Sequence, residues 1–338
     1  MTMKKIAIIG VTGYGGGELA RLLARHPNVE VTQVISDSSA GKPLASAFPG
    51  LAGTKLGRLV CEKKGGEITA DVVFLAQENG YALTVAGTLL AQGKWVIDLS
   101  ADFRLTDTAA WEKFYKMPPA APELLEQAVY GMPELVGKEK IACARLIANP
   151  GCYVTASSLA LAPLVKHHGL SGIIIDAKSG VSGAGRSKSD TIYRYSEMNE
   201  TVRPYAVGGS HRHTPEIAQN IGASVLFTPH LVPMTRGILA TCYGQTKASA
   251  TELTATLRAA YADCPFVIVR EPGDWPSTKD VAGSNFCHLA VASTGEQAIV
   301  VSVIDNLVKG AAGQAIHNMN IMLGFEETAG LEGGGLWP

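Results

Sequence analysis

The chain has 338 residues, 46% of them hydrophobic and only 17% charged, with a formal net charge of −1. That is enough chain and apolar residue for two domains with cores of their own, and the absence of a basic surplus argues against a nucleic-acid or anionic-membrane partner. The six cysteines, Cys61, Cys143, Cys152, Cys242, Cys264 and Cys287, form no close pair and no metal-ligand spacing, so free thiols, a reducing compartment and no metal are expected.

Lys4 and Lys5 precede a short apolar run, Ile6 to Ile9, which Gly10 ends too early for a signal peptide; it is predicted as the first β-strand. No apolar stretch is long enough to span a bilayer, and a soluble, cytoplasmic protein is expected. The strand runs into Gly10-Val11-Thr12-Gly13-Tyr14-Gly15-Gly16-Gly17. Leu19, Leu22 and Leu23 then share one face of a predicted helix that His26-Pro27 ends. Gly10, Gly13 and Gly16 thus make G-x-x-G-x-x-G between a strand and a helix. Glycine lets backbone approach a pyrophosphate there, and the helix start attracts its charge; a tight turn alone would also use these glycines.

Val29 to Ile35 alternates as a second strand and ends at Ser36-Asp37-Ser38-Ser39-Ala40-Gly41-Lys42. An acid about 20 residues beyond the last glycine binds the ribose 2′-hydroxyl of NAD in such domains, and Asp37 stands there. Ser36, Ser38, Ser39 and Lys42 could instead bind the 2′-phosphate of NADP, so the choice between NAD and NADP stays open. Residues 71–76 and 95–99 read as further buried strands. Strands alternating with helices predict parallel βαβ units, and residues 1–150 are expected to form a Rossmann-type doubly wound domain.

Arg145 to Ala148 is strand-like and Val154 to Lys166 helix-like, so Asn149-Pro150-Gly151-Cys152-Tyr153 puts Cys152 at a helix start. Unpaired N–H groups and the helix dipole favour an anion there. A thiol so placed ionises more readily, and the thiolate is the nucleophile; an ordinary buried cysteine is the alternative. Beyond it, strand-like runs crowd together: Gly172–Lys178, Ser224–Leu231, Gly237–Gly244, Phe266–Glu271, His288–Ala292 and Ala298–Ile304, with one helix at Thr251–Ala262. This predicts a second, α+β domain over 151–310 with a mixed or antiparallel sheet. A sheet with one free face predicts a homo-oligomer, a homodimer or homotetramer. Val308–Leu323 reads as a helix, and 311–338 is expected to be a C-terminal helix and tail returning to the first domain, with Gly333-Gly334-Gly335 flexible.

His211-Arg212-His213 brings two histidines to one face if it is extended. Such a pair can be catalytic, a surface hydrogen-bonding pair or part of a metal site, although no third ligand accompanies it.

Taken in order, these motifs resemble the N-acetyl-gamma-glutamyl-phosphate reductases of arginine biosynthesis, relatives of the aspartate-semialdehyde dehydrogenases. The matching stretches are Gly10-Val11-Thr12-Gly13-Tyr14, 98–105, 130–135, 149–153, Ser179-Gly180-Val181-Ser182-Gly183-Ala184-Gly185-Arg186, His211 to Ile217, Phe227 to Leu231 through Arg236-Gly237, and 305–314. The resemblance covers almost the whole chain. It departs at Asp37, where members often carry an arginine for NADP, and at Gln77-Glu78-Asn79-Gly80, where they often have Leu-Pro-His-Gly.

The resemblance implies NADP-dependent reduction of N-acetylglutamyl phosphate to the semialdehyde, with release of inorganic phosphate, through a thioester on Cys152. It makes His213 the acid/base, Glu216 the residue that orients the histidines and His211 a substrate contact. Arg104 would take the phosphate, with Arg186 and Arg236 as further candidates for the substrate carboxylate and Asn149 for the oxyanion pocket or substrate positioning. Ser182, Gly183, Ala184 and Gly185 would face the cofactor's pyrophosphate and nicotinamide, and Asn306 its carboxamide; Gly10, Thr12, Gly13, Tyr14, Gly15 and Gly16 would hold the dinucleotide. Sibling activities with the same chemistry are aspartate-semialdehyde dehydrogenase and a carrier-linked aminoadipyl-phosphate reductase. A nicotinamide-binding regulator is the non-enzymatic alternative.

Overall fold

The computed structural model describes residues 3–187 and 190–336. Met1 and Thr2 of the expected first domain, Lys188 and Ser189 of the second, and Trp337 and Pro338 of the tail lie outside the described residues. The chain divides into two compact units. One runs to Thr106, resumes over Met117–Pro150 and is completed by Ala311–Glu332. The other takes Asp107–Lys116, Gly151–Gly310 and the tail from Gly333. Asp107–Lys116 and the tail therefore group with the second unit, not where the sequence reading put them.

In the first unit six strands form one sheet: β1 (Lys4–Ile9), β2 (Val29–Ile35), β3 (Val72–Leu75), β4 (Trp95–Asp98), β5 (Ala128–Tyr130) and β6 (Leu146–Ala148). Their order is β2-β1-β3-β4-β6-β5, and every pairing is parallel. Parallel strands joined by crossover helices are covered on both faces, which is why Val72–Leu75 reads as an unbroken apolar run and is wholly buried. The chain passes from β1 to β2 on one side and then starts β3 on the other. That reversal opens a crevice at the C-terminal ends of β1 and β3, where ligands bind in open α/β sheets.

Seven strands make the sheet of the second unit: β7 (Ser171–Ser179), β8 (Arg203–Pro204), β9 (Val225–Leu231), β10 (Ile238–Gln245), β11 (Val267–Val269), β12 (Cys287–Ser293) and β13 (Gln297–Ile304). The order is β11-β12-β13-β10-β7-β9-β8; β7–β9 and β11–β12 are parallel and the other pairings antiparallel. Side chains alternate. Ile173, Ile175 and Ala177 of β7 enter the core, whereas Ile174 is 44% exposed. The inner face carries the helix Cys152–His168, whose residues Tyr153 to Leu161 are all buried, together with the helices His213–Ile221 and Ala250–Ala260. The doubly wound parallel sheet and the mixed sheet are the two architectures the sequence predicts.

Two local expectations fail. Val308–Leu323 is not one α-helix: Val308–Ala312 is a π-helical turn, and the α-helix covers Gly313–Met322. The glycine run before Leu336 is tied down, because the Leu336 N–H donates to the Ala282 carbonyl at 2.7 Å.

Candidate active site

Cys152 is the first residue of a 17-residue helix, after Gly151 in extended conformation, and no acidic side chain occupies the first turn. The helix dipole there is left for an anion. The Gly151 N–H instead donates to Glu216 Oε1 at 3.1 Å, and Glu216 is fully buried. Glu216 lies one turn into the helix His213–Ile221, so it shares a face with His213. One carboxylate thus links the helix bearing His213 to the residue preceding the cysteine, a tie the sequence did not reveal.

The stretch from His211 to His213 is not extended. His211 sits in a turn and His213 begins a helix, so the two do not share a strand face. They meet by a different route. The His213 N–H donates to His211 Nδ1 at 3.0 Å, and the two rings lie 4.8 Å apart, centre to centre. Tyr153, next to the cysteine, packs edge-on against both rings at 5.5 and 6.0 Å, and His211 also meets Tyr205 and Phe227. The Tyr153 and Tyr205 hydroxyls are 3.0 Å apart, and burial drives both phenols far above their ordinary range. Burial, reinforced by the neighbouring His213, pushes His211 down to about 2, so it stays neutral and its Nδ1 remains an acceptor. This aromatic setting was not foreseen, because its members come from four separate segments.

Asn306 is buried and already engaged: Oδ1 accepts the Gly237 N–H at 2.7 Å and Nδ2 donates to Ser182 Oγ at 3.0 Å. It therefore fixes the second glycine-rich loop, a 3-10 turn over Val181–Ala184, ending at Gly185 with φ +87°. Arg236 pairs with the fully buried Asp305 at 3.2 Å. Arg186 is exposed beyond that loop. Gly310 presses on the cysteine, since a Cβ there would lie 2.7 Å from Cys152 Cβ.

In the first unit a Cβ on Gly10 would lie 2.2 Å from the Ala76 carbonyl oxygen, and one on Gly16 would lie 2.3 Å from that of Gly10. Only glycine permits this approach. Gly13 leads into the helix Tyr14–Leu23, which has no side-chain cap and no acid in its first turn. Glycine backbone at an uncapped helix start fits a dinucleotide pyrophosphate. Thr12 Oγ1 and Ser36 Oγ are 2.7 Å apart, and Ser36 Oγ is 3.2 Å from Ser38 Oγ. Tyr14, Ser38 and Lys42 are exposed, while Ser39 and Gly15 are half-buried or open at the same edge.

Arg104 is buried and donates to the Leu99 carbonyl at 2.7 Å. Asp98 beneath it is fully buried, and burial together with Asp102 lifts its carboxyl to about 7. Asp102 accepts the Gly80 N–H at 2.8 and 2.9 Å, and Asn79 Oδ1 accepts that of Ala101 at 3.0 Å. The Gln77-Glu78-Asn79-Gly80 tetrapeptide therefore anchors the loop that carries Arg104. Asn149 has a structural use: it donates to the Ala311 carbonyl and accepts from Asn318 Nδ2, each at 3.1 Å. Among the described residues no group of His, Cys, Asp and Glu could hold a metal ion, and no helix is long and apolar enough to cross a membrane.

Known proteins match throughout. The family described as semialdehyde dehydrogenase, NAD binding domain, matches residues 5–144, and semialdehyde dehydrogenase, dimerisation domain, matches 152–306. Proteins named N-acetyl-gamma-glutamyl-phosphate reductase are close relatives. The one from Pseudomonas savastanoi pv. phaseolicola is 49% identical, covering 99% of this chain and 100% of its own. The one from Symbiobacterium thermophilum is 49% identical over 97% of each. Among solved structures, aspartate semialdehyde dehydrogenase II from Vibrio cholerae superposes with a TM-score of 0.75 at 18% identity, covering 95% of this chain and 99% of that one. The enzyme from Candida albicans, solved with NADP, gives 0.69 at 17%, covering 95% and 99%. The structures share the fold, and the relatives at half identity fix the family: the chain belongs to the N-acetyl-gamma-glutamyl-phosphate reductases, within the semialdehyde dehydrogenases.

Proposed function

We propose that this chain reduces N-acetyl-L-glutamyl 5-phosphate to N-acetyl-L-glutamate 5-semialdehyde and releases inorganic phosphate, with NADPH as reductant. The observation that carries this reading is Cys152 at an uncapped helix start, with His213 and Glu216 gathered around the residues flanking it. The Cys152 thiolate attacks the γ-carbonyl carbon. A C–S bond forms, the C–O bond to phosphate breaks, and phosphate departs with the electron pair. Arg104 is the residue proposed to take that phosphate, since guanidinium grips it bidentately.

A bound nicotinamide dinucleotide supplies the hydride that brings the thioester carbon to the aldehyde level. His213 gives a proton to the oxygen left negative by that hydride, and takes it back from the thiohemiacetal hydroxyl as the C–S bond breaks, which frees the aldehyde and restores the thiolate. Glu216 positions His213. His211, Arg186 and Arg236 are proposed to bind substrate, and the 182–185 loop and Asn306 to meet the cofactor. Aspartate-semialdehyde chemistry would use the same catalytic residues, but the relatives at half identity favour the acetylglutamyl substrate. A second copy of the chain is proposed to cover the outer face of the β7–β13 sheet, where Ile174 and Leu226 are 44% and 50% exposed.

The test is phosphate-dependent oxidation of N-acetylglutamate semialdehyde by wild type and Cys152→Ala. The variant is expected to lose turnover while still binding NADPH; retained turnover would remove the thioester from the mechanism.

A further inference from the structure

Asp37 sits where a dinucleotide's adenosine ribose is met, just beyond the end of β2. A bare carboxylate there takes the diol of NAD and repels the 2′-phosphate of NADP. In this chain the carboxylate is not bare. Its Oδ1 accepts the backbone N–H of Lys64 at 2.9 Å, and its Oδ2 lies 3.0 Å from Lys64 Nζ. That N–H and then the ammonium hold Asp37 below the usual carboxylate range.

Lys64 is held in place by backbone pairing. The loop 36–42 and the segment 60–64 run side by side: the Ser36 N–H donates to the Glu62 carbonyl, the Gly41 N–H to that of Cys61, and the Cys61 N–H to that of Lys42. The Lys64 ammonium also stands 5.1 Å from the ring centre of Tyr81. A groove of about 270 Å³ opens beside them, lined by Ile9, Ile35, Tyr81 and Val85 among others. Lys63 adds a second positive charge felt at Asp37. Glu62 also lines this groove, and its carboxylate accepts from Gln33 Nε2 at 3.3 Å. On the loop that carries Asp37, the hydroxyls of Ser36 and Ser38 form a chain with that of Thr12, at 2.7 Å and 3.2 Å. An ammonium carries three N–H donors, and Asp37 engages one of them.

We propose that Lys64 is the cation that selects NADP in this chain, gripping the 2′-phosphate together with the Ser36 and Ser38 hydroxyls, while Asp37 serves as the anchor of Lys64 and not as a ribose reader. The cation for the 2′-phosphate is thereby supplied from the segment beside the Asp37 loop. The inference rests on the reductase reading only in requiring a nicotinamide dinucleotide.

The experiment is direct binding, by calorimetry or fluorescence, of NADPH and NADH to wild type, Lys64→Gln and Asp37→Asn, with adenosine 2′,5′-bisphosphate and AMP as fragments. Wild type is expected to prefer NADPH and the bisphosphate. Lys64→Gln should weaken both by about tenfold or more, as loss of a charge-assisted contact predicts, while NADH and AMP hold their affinity and report an intact fold. Asp37→Asn should keep the preference for NADPH. A wild type that prefers NADH, or a Lys64→Gln variant whose NADPH-to-NADH ratio stays within about threefold of wild type, overturns the proposal and leaves the reductase reading standing. Wild type that binds neither dinucleotide overturns both.

Discussion

His211 and His213 are two residues apart and do opposite work. His213 opens a helix that also carries Glu216, and it is the proposed proton carrier. His213→Asn is expected to lower kcat by about a hundredfold or more with little change in NADPH affinity, measured by steady-state rates beside direct binding; an undiminished kcat would move the proton to another group. His211 is built to stay uncharged. Its folded-state value of about 2 lies below the unfolded value near 6.5, so between those limits the unfolded chain binds one more proton. Stability contributed by this residue is present above about pH 6.5 and falls by roughly 1 kcal/mol per pH unit below it. Melting temperatures from pH 7.5 to 5 should therefore drop less steeply in His211→Gln than in wild type; parallel curves would show that another group governs acid sensitivity. The residues flanking Cys152 were legible from the run of Gly, Cys and apolar residues. The aromatic cluster was not, because Tyr153, Tyr205, His211 and Phe227 meet only through folding, and nothing in their spacing records it.

The strands were readable because burial imposes a pattern. β3 is buried on both faces and unbroken in apolar residues, whereas β7 alternates, and both patterns survive in the sequence. Elements lacking a pattern were missed: β5 and the two-residue β8, and the short helices Thr108–Tyr115 and Pro122–Gln127. The π-helical turn Val308–Ala312 was read as α-helix because its apolar residues suit either winding. Its purpose lies in the packing: the turn carries Gly310 onto Cys152. Both partners are held by backbone, so a methyl group 2.7 Å from Cys152 Cβ has no flexible neighbour to displace. Gly310→Ala is expected to cost about 1–3 kcal/mol of stability in urea unfolding and to slow thiol alkylation or turnover by shifting the cysteine. A variant with wild-type stability and wild-type thiol reactivity would mean that the turn yields freely.

The two architectures were visible in the succession of elements, but the way the chain is shared between them was not. The helix Gly313–Met322 is buried along its whole length inside the first unit. Asn318 Nδ2 donates to the Gly131 carbonyl at 2.8 Å and to Asn149 Oδ1 at 3.1 Å; Asn320 meets His26 at 2.8 Å and the Ala329 carbonyl at 2.9 Å. An amide on a helix otherwise rich in Ala, Ile and Met carries no mark of a partner nearly two hundred residues earlier. Asn318→Leu should take the donor from Asn149 Oδ1 and leave the Gly131 carbonyl to Gln314 Nε2 at 3.1 Å, at a cost of about 1–3 kcal/mol, seen as a lower urea midpoint; an unchanged midpoint would show that these bonds contribute nothing net. The interleaving also orders events during synthesis. A ribosome delivers residues 1–150 first, yet the unit built on them lacks its last helix until residue 322 has emerged, by which time nearly all of the other unit is already outside. The half of the protein begun first thus keeps apolar surface uncovered until almost the end of translation.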